Sequence, residues 1–497
     1  MIARVLTAVP IGFDGQAVTV ECDITKGLPA FVIVGLADKA VAESRERVRS
    51  AIVNSGLTFP AKRITINLAP ASIAKEGSHL DLPIAISILV CSGQLKQKDI
   101  DGIMVAGELS LDGELRQTRG AILIAEAAKK AGCRTIILPK QNAAQAALVD
   151  SIDVVGVTTF TDTIMYLLGE KTITPTTSNL GSGLATNYPS IDEIRGQETA
   201  KRALVVAAAG HHNLLFTGSP GAGKTMLART LPGLLPGLGR DEMIESTKIH
   251  SLAEESIEEL VHQRPFRSPH HTASFVSLIG GGNKVRPGEV SLAHNGVLFL
   301  DEIPEFPRSS LEALRQPLED RVVHISRASG KVSYPAHFML VATMNPCPCG
   351  YFGDDKKACT CSQQMILNYQ KRLSGPLLDR IDMTIPVARI DRKELFTDRA
   401  ADRSDRTSTF RESIASARKT QMIRQSKPNS ALSNKELETY AHLTDETKRM
   451  LLTASEKLNL SARSHFKIIK VARTIADLNN HESIETSDMA EALQYRH

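Results

Sequence analysis

The segment GSPGAGKT at 218–225 constrains this chain more than any other feature. It satisfies G-x-x-x-x-G-K-[ST] in full, follows the apolar run NLLFTG and opens a helical pattern. A strand, a glycine-rich turn and a helix in that order build an α/β layer around a phosphate cradle. Glycines let backbone N–H groups curl around phosphate oxygens, and the helix N-terminus adds positive potential. The expected cradle is Gly218, Ser219, Pro220, Gly221, Ala222 and Gly223, with Lys224 reaching the β- and γ-phosphates and Thr225 on Mg²⁺. ATP and Mg²⁺ are the implied cofactors.

Two further strands carry polar ends. GVLFLDEIPEF places Asp301 and Glu302 after a short apolar run, where Asp301 would hold Mg²⁺ through water and Glu302 would polarise the attacking water. HFMLVATMN ends in Asn345, a polar residue able to contact the γ-phosphate and the water from a neighbouring strand. All three runs are continuously apolar, which suits a parallel sheet covered on both faces.

At 497 residues the chain is long enough for two to four domains. Its 42% hydrophobic and 23% charged content is that of a globular protein, and a net charge of +4 does not by itself indicate nucleic acid. No apolar run approaches the roughly 18 residues that span a bilayer. The opening MIARVLTAVPIGFDGQ lacks a full apolar core before Asp14, so no signal peptide is expected. Residues 1–170 alternate strand and helix patterns: strands at 31–36, 63–70 and 135–139, and helices at 39–56, 82–93 and 121–132, two of them closed by Gly56 and Gly132. Residues 171–190 are rich in Thr, Ser, Gly and Pro and read as a linker. The ATPase pattern occupies 191–391. From 392 to 497 the chain reads as charged helices, with ten Lys or Arg against five Asp or Glu over 392–427 and a capping box at Ser433 and Glu436.

The order P-loop, Asp-Glu, Asn resembles an AAA+ ATPase. That resemblance implies Asn345 as sensor 1, Arg380 in GPLLDRIDM as the arginine finger entering a neighbouring subunit's site, and Arg463, after a predicted N-cap at Ser461, as the sensor-2 arginine in preference to Arg473. The stretch at 266–302, FRSPHHTASFVSLIGGGNKVRPGEVSLAHNGVLFLDE, resembles the helix-2 insert of the magnesium-chelatase-related clade, and NPCPCG…CTCS…LSGPLLDRID is similar to the YifB/ComM family. GELSLDGELRQTRGAILIAEAAKKAGCRTIILPKQN at 107–142 resembles the end of a Lon-protease-like (ribosomal S5 domain 2-like) α/β domain. In an ungapped reading the catalytic serine position falls on His79, beside Ser78, and the lysine position on Ile122, so the resemblance implies the fold without proteolysis. The expected fold class is therefore an α/β AAA+ P-loop core with a C-terminal helical lid, preceded by that Lon-like domain.

Four of seven cysteines crowd into Cys347-Pro-Cys349 and Cys359-Thr-Cys361. Four thiolates can close a tetrahedral structural zinc site, although C-x-C pairs are atypical of zinc knuckles. The odd cysteine count fits a reducing cytosol. His270 and His271 are expected to shape the insert loop, pointing to opposite faces of a strand. RVVHISRASGKVSYPAH at 321–337 reads as a hairpin with Arg327 and Lys331 near its tip, a candidate pore loop tracking DNA phosphates, and Lys284 and Arg286 form a second candidate. The resemblance implies a bacterial cytoplasmic homo-oligomer, a hexameric ring with no membrane partner, acting on DNA in branch migration or unwinding of recombination intermediates. A metal-chelatase-type motor subunit and a Lon-like ATP-dependent protease are the alternatives.

Overall fold

The computed structural model describes residues 2–36, 38–75, 77–177, 188–253, 260–282, 285–327, 330–354, 356–389, 406–458 and 460–496. Half of the expected linker, 178–187, lies outside the described residues, as does the first part of the basic stretch after 391. The chain divides into two units.

The first unit takes Met1–Leu184 together with Met243–Val261 and Ser326–Tyr334. Its strands are β1 (Ala3–Ile11), β2 (Asp14–Thr25), β3 (Ala30–Val34), β4 (Arg63–Ala69), β5 (Ile103–Val105), β6 (Thr135–Pro139) and β7 (Asp153–Val157), in the order β3-β4-β2-β1-β5-β6-β7. β1–β2 and β2–β4 are antiparallel, and the other pairs are parallel. The β1–β2 hairpin turns at Gly12, whose φ of 59° a glycine adopts without strain. Helix α1 (Lys39–Asn54) starts where the Asp38 carboxylate accepts the Val41 N–H at 2.9 Å and stops before Gly56, at φ 76°. Helices α2 (Asp81–Cys91) and α3 (Ala121–Lys130) match the expected apolar helices, and α2 is buried from Asp81 to Val90. The later segments of the chain complete this unit: Leu260 belongs to the core that α3 and β6 build, and Ile244 and Leu252 pack against it. A methyl group on Gly12 would meet Val332 at 2.5 Å.

The second unit contains the P-loop. Its parallel sheet uses β8 (Leu214–Thr217), β9 (Phe266–Arg267), β10 (Val297–Leu300), β13 (Met339–Met344) and β14 (Met383–Pro386), ordered β9-β10-β13-β8-β14. Between β10 and β13 in sequence runs a hairpin, β11 (Val322–Arg327) and β12 (Gly330–Pro335). Every residue of β10 and β13 is buried, as a sheet covered on both faces requires. Helices α4 (Glu198–Gly210) and α5 (Lys224–Leu234) flank β8 in sequence, and α6 (Arg240–Leu252) follows, belonging from Met243 onward to the first unit. After 405 the described chain is helical: α7 (Arg406–Gln425), α8 (Asn434–Tyr440), α9 (Asp445–Lys457), α10 (Ala462–Leu478) and α11 (Thr486–Gln494). The capping box of α8 forms, with the Ser433 N–H donating to Glu436 at 2.8 Å. Ser461 caps α10 as expected, accepting from the Ser464 N–H at 3.2 Å.

Candidate nucleotide site and its surroundings

β8 delivers the chain into the glycine-rich turn. At Gly218 the backbone passes so close to the Val387 carbonyl oxygen that a Cβ would sit 2.2 Å from it. Gly223, at φ 92°, ends the turn as the N-cap of α5. Lys224 is the first residue of α5 and is 8% exposed. Its ammonium donates to the carbonyls of Gly218 and Ser219 and, at 3.0 Å, to Asn345 Oδ1. Burial lowers its pKa, while Asp301 and Glu302 pull it back up.

The sheet order explains how the carboxylates join this group. β13 lies between β8 and β10, so side chains at its C-terminal end sit between the P-loop and the Asp-Glu pair. Thr225 Oγ1 donates to Asp301 Oδ2 at 3.0 Å. Thr343 Oγ1 donates to Asp301 Oδ1 at 2.5 Å and accepts the Glu302 N–H at 2.9 Å. Asn345 Nδ2 donates to Glu302 Oε1 at 3.5 Å. Glu302 is held at φ 49°, ψ 53°, a left-handed conformation that costs a non-glycine residue of order 1 kcal/mol. One network thus contains Lys224, Thr225, Asp301, Glu302 and Asn345. A hydroxyl beside a carboxylate suits a hard oxygen-seeking cation such as Mg²⁺, and the N–H cradle with a lysine suits phosphate.

Four residues of this neighbourhood carry no sequence motif: Thr343, Asp354, Gln197 and Arg389. Ser219 Oγ donates to Asp354 Oδ2 at 2.6 Å, and that bond heads the causes holding the Asp354 carboxyl below its ordinary range. Arg389 donates to the Pro220 carbonyl at 3.1 Å and lies 3.6 Å from Asp354. Gln197 Nε2 donates to the Ala388 carbonyl at 2.5 Å.

The two candidate arginines are elsewhere in the unit and converge on one carboxylate. Arg380 pairs with Glu319 Oε2 at 2.6 Å and donates to the carbonyls of Arg315 and Pro376; its side chain is 9% exposed. Arg463 pairs with the other oxygen, Oε1. Hydrogen bonds from Arg463 and Arg380 hold the Glu319 carboxyl below its usual range. Neither guanidinium bonds a described residue of the P-loop network. Arg473 is buried in an ion pair with Asp477 at 2.8 Å and donates to the carbonyls of His481 and Glu482, a structural role.

The four clustered cysteines come together in the loop after β13. All four sulfurs lie within 4.8 Å of one another, with Cys347–Cys349 at 3.3 Å, Cys349–Cys359 at 3.6 Å and Cys347–Cys359 at 3.7 Å. A tetrahedron with zinc–sulfur bonds of about 2.3 Å has edges of about 3.8 Å, so the donor set and spacing fit the ion. The same loop touches the cradle, since a methyl group on Gly350 would fall 2.6 Å from Pro220.

Of the expected DNA-facing residues, Lys331 is exposed on β12, Arg327 closes β11, and Arg286 is half-buried in a two-residue strand paired with Gly280–Gly281. Lys284 lies outside the described residues. His270 and His271 depart from expectation: they occupy a loop, with ring centroids 4.1 Å apart, because no strand alternation separates them there. In the first unit, His79 is buried and its pKa is pushed down to about 4 by desolvation, Ser78 donates to Glu108, and Ile122 is fully buried in α3.

Three family models cover most of the chain. Residues 190–395 match magnesium chelatase, subunit ChlI; residues 20–142 match subunit ChlI of Mg-chelatase; and residues 404–496 match the ChlI C-terminal model. The competence protein ComM of Haemophilus influenzae is 44% identical over 504 residues, covering 100% of this chain and 97% of that protein. The protein YifB of Salmonella typhimurium is 42% identical over 497 residues, covering 100% of this chain and 97% of its own length. A Lon protease of Chloroflexus aurantiacus is 29% identical over 141 residues, 27% of this chain and 16% of that protein.

Proposed function

The chain belongs to the magnesium-chelatase-related family that includes ComM and YifB, and on that premise we propose that it is an AAA+ ATPase that drives branch migration or unwinding of DNA recombination intermediates. The observation that carries the ATPase reading is the single network joining the P-loop lysine, Thr225, Asp301, Glu302 and Asn345. In it Lys224 and the cradle N–H groups bind the phosphates, and Thr225 with Asp301 holds Mg²⁺. Held by those two residues, Mg²⁺ would supply neutralisation of charge on the phosphate oxygens. Glu302 accepts a proton from the attacking water, with Asn345 orienting its carboxylate. Arg380 acts on the nucleotide of the next copy in a hexameric ring, a reading supported by its separation from its own chain's P-loop network. Arg463 serves as the sensor-2 residue.

The DNA reading is supported by full-length similarity to a competence protein and by the basic residues Arg327, Lys331, Lys284 and Arg286, which we assign to backbone contacts. The four-cysteine cluster holds a structural zinc ion, with no open coordination position for catalysis. The first unit is a Lon-like domain without proteolysis, because His79 and Ile122 stand where a serine–lysine dyad would be.

The decisive experiment supplies full-length protein and Mg-ATP to a synthetic three- or four-stranded junction. Strand displacement that disappears with Lys224→Ala is expected. Robust ATP turnover that ignores DNA and moves no strand would overturn the motor. That outcome would favour a chelatase-type motor, the reading to which the ChlI matches also lend weight.

A further inference from the structure

The loop after β13 carries more than its sulfurs. Cys347, Cys349, Cys359 and Cys361 gather within 4.8 Å, which pins both ends of the segment 350–358. Gly350 and Gly353 take φ of 83° and 76°, left-handed conformations that turn the chain on either side of Tyr351 and Phe352. Phe352 is 51% exposed, the barest phenylalanine among the described residues. A bare ring alone says little, since single apolar side chains are common on surfaces. Its neighbours decide what it fits.

The Lys357 ammonium lies 4.0 Å from the Tyr351 ring centroid, and the Arg389 guanidinium lies 5.2 Å from it. Lys356 and Lys357 are exposed. The described carboxylate of the segment, Asp354, faces inward with its side chain 4% exposed. Its Oδ2 accepts from Ser219 Oγ, and its Oδ1 accepts the backbone N–H groups of Lys356 and Lys357 at 2.9 and 3.0 Å. The carboxylate therefore fixes the backbone from which both lysines project. Rings and cations on one closed loop match a single nucleic-acid strand. An unpaired base stacks on an aromatic face whatever its identity, and the phosphates beside it meet lysine. A duplex keeps its base faces covered and offers none to Phe352.

We propose that the tip of the cysteine loop grips single-stranded nucleic acid, with a base stacked on Phe352 and the adjoining phosphates on Lys356 and Lys357. This contact is separate from the hairpin and insert residues assigned above. It rests on the nucleic-acid part of that reading and not on ATP-driven movement. The loop follows Asn345 directly and meets Pro220 through Gly350, so the gripped strand lies two residues from a contact with the phosphate cradle.

The chain contains no tryptophan, so Phe352→Trp supplies a single fluorophore at the tip. Titrating this full-length variant with oligothymidylate, without ATP, should quench its emission in parallel with binding, and a blunt duplex should not. By fluorescence anisotropy of the labelled strand, Phe352→Ala should weaken affinity about tenfold, the loss of one stacked base. Lys357→Gln should lower the slope of affinity against salt by about one phosphate contact, and it reads the same surface if a Phe352 variant fails to fold. Unquenched emission with wild-type affinity in these variants would overturn the proposal. Emission that follows protein concentration instead of oligothymidylate would also overturn it, assigning the ring to a second copy of the chain. Wild-type protein that binds no strand would overturn it together with the DNA reading. Quenching that persists in a protein unable to move a junction would uphold this contact and sink the motor alone.

Discussion

Thr343 shows how a residue without a motif can govern a site made of motif residues. Its hydroxyl bonds Asp301 and the backbone of Glu302 at once, fixing both carboxylates relative to each other. Thr343→Val keeps the shape and deletes both bonds, leaving a buried N–H and a carboxylate oxygen short of a partner at a cost of about 1–3 kcal/mol. ATP turnover should fall roughly tenfold or more with ATP binding retained, which steady-state kinetics beside equilibrium binding will resolve. The places of Lys224 and Thr225 in this network were legible from the G-x-x-x-x-G-K-[ST] spacing, and those of Asp301 and Asn345 because each follows an apolar run at a strand end. Thr343 was not, since its importance depends on β13 lying between β8 and β10, and neighbour order in a sheet is not written in the spacing of any one strand. Glu319 escaped for the same reason: it joins Arg380 and Arg463 across about 60 and 140 residues of chain, a distance at which local patterns are silent.

Among the elements, the cysteine loop is tied to the cradle by Gly350 against Pro220 and by Asp354 on Ser219. Loss of the proposed zinc ion should therefore be felt at the nucleotide. Cys359→Ser or treatment with a strong chelator should lower metal content from one ion per chain and raise the KM for ATP severalfold, read by metal analysis alongside kinetics. Full metal loss with unaltered KM would show the loop to be a bystander. The helices of the first unit were readable from apolar periodicity and glycine stops, as α1 and α3 show. The long β1–β2 hairpin was not, because its strands carry Arg4, Thr19 and Glu21 among apolar residues and the opening run of nine residues is too mixed to stand out. Its turn, Gly12-Phe13, also lacks the usual Asn-Gly or Asp-Gly signature.

At the scale of the whole molecule, the proposed ring divides each active centre between two copies. Lys224→Ala and Arg380→Ala chains should each be inactive alone. Mixed together, they should recover measurable ATPase, because an intact P-loop from one then meets an intact arginine from the other. Size-exclusion chromatography must show mixed assemblies; absence of recovery within them would place Arg380 outside the neighbour's site. The α/β class with its parallel sheet was legible at this scale from the strand–turn–helix order, whereas the grouping of Met243–Val261 and Ser326–Tyr334 with the opening residues was not. Those two excursions make the polypeptide interleaved. A gene cut after codon 184 would not yield a self-sufficient half, because the apolar side chains of Leu252 and Leu260 that finish its interior are encoded downstream. Any exchange of this N-terminal module between relatives must therefore transplant three pieces of sequence in concert.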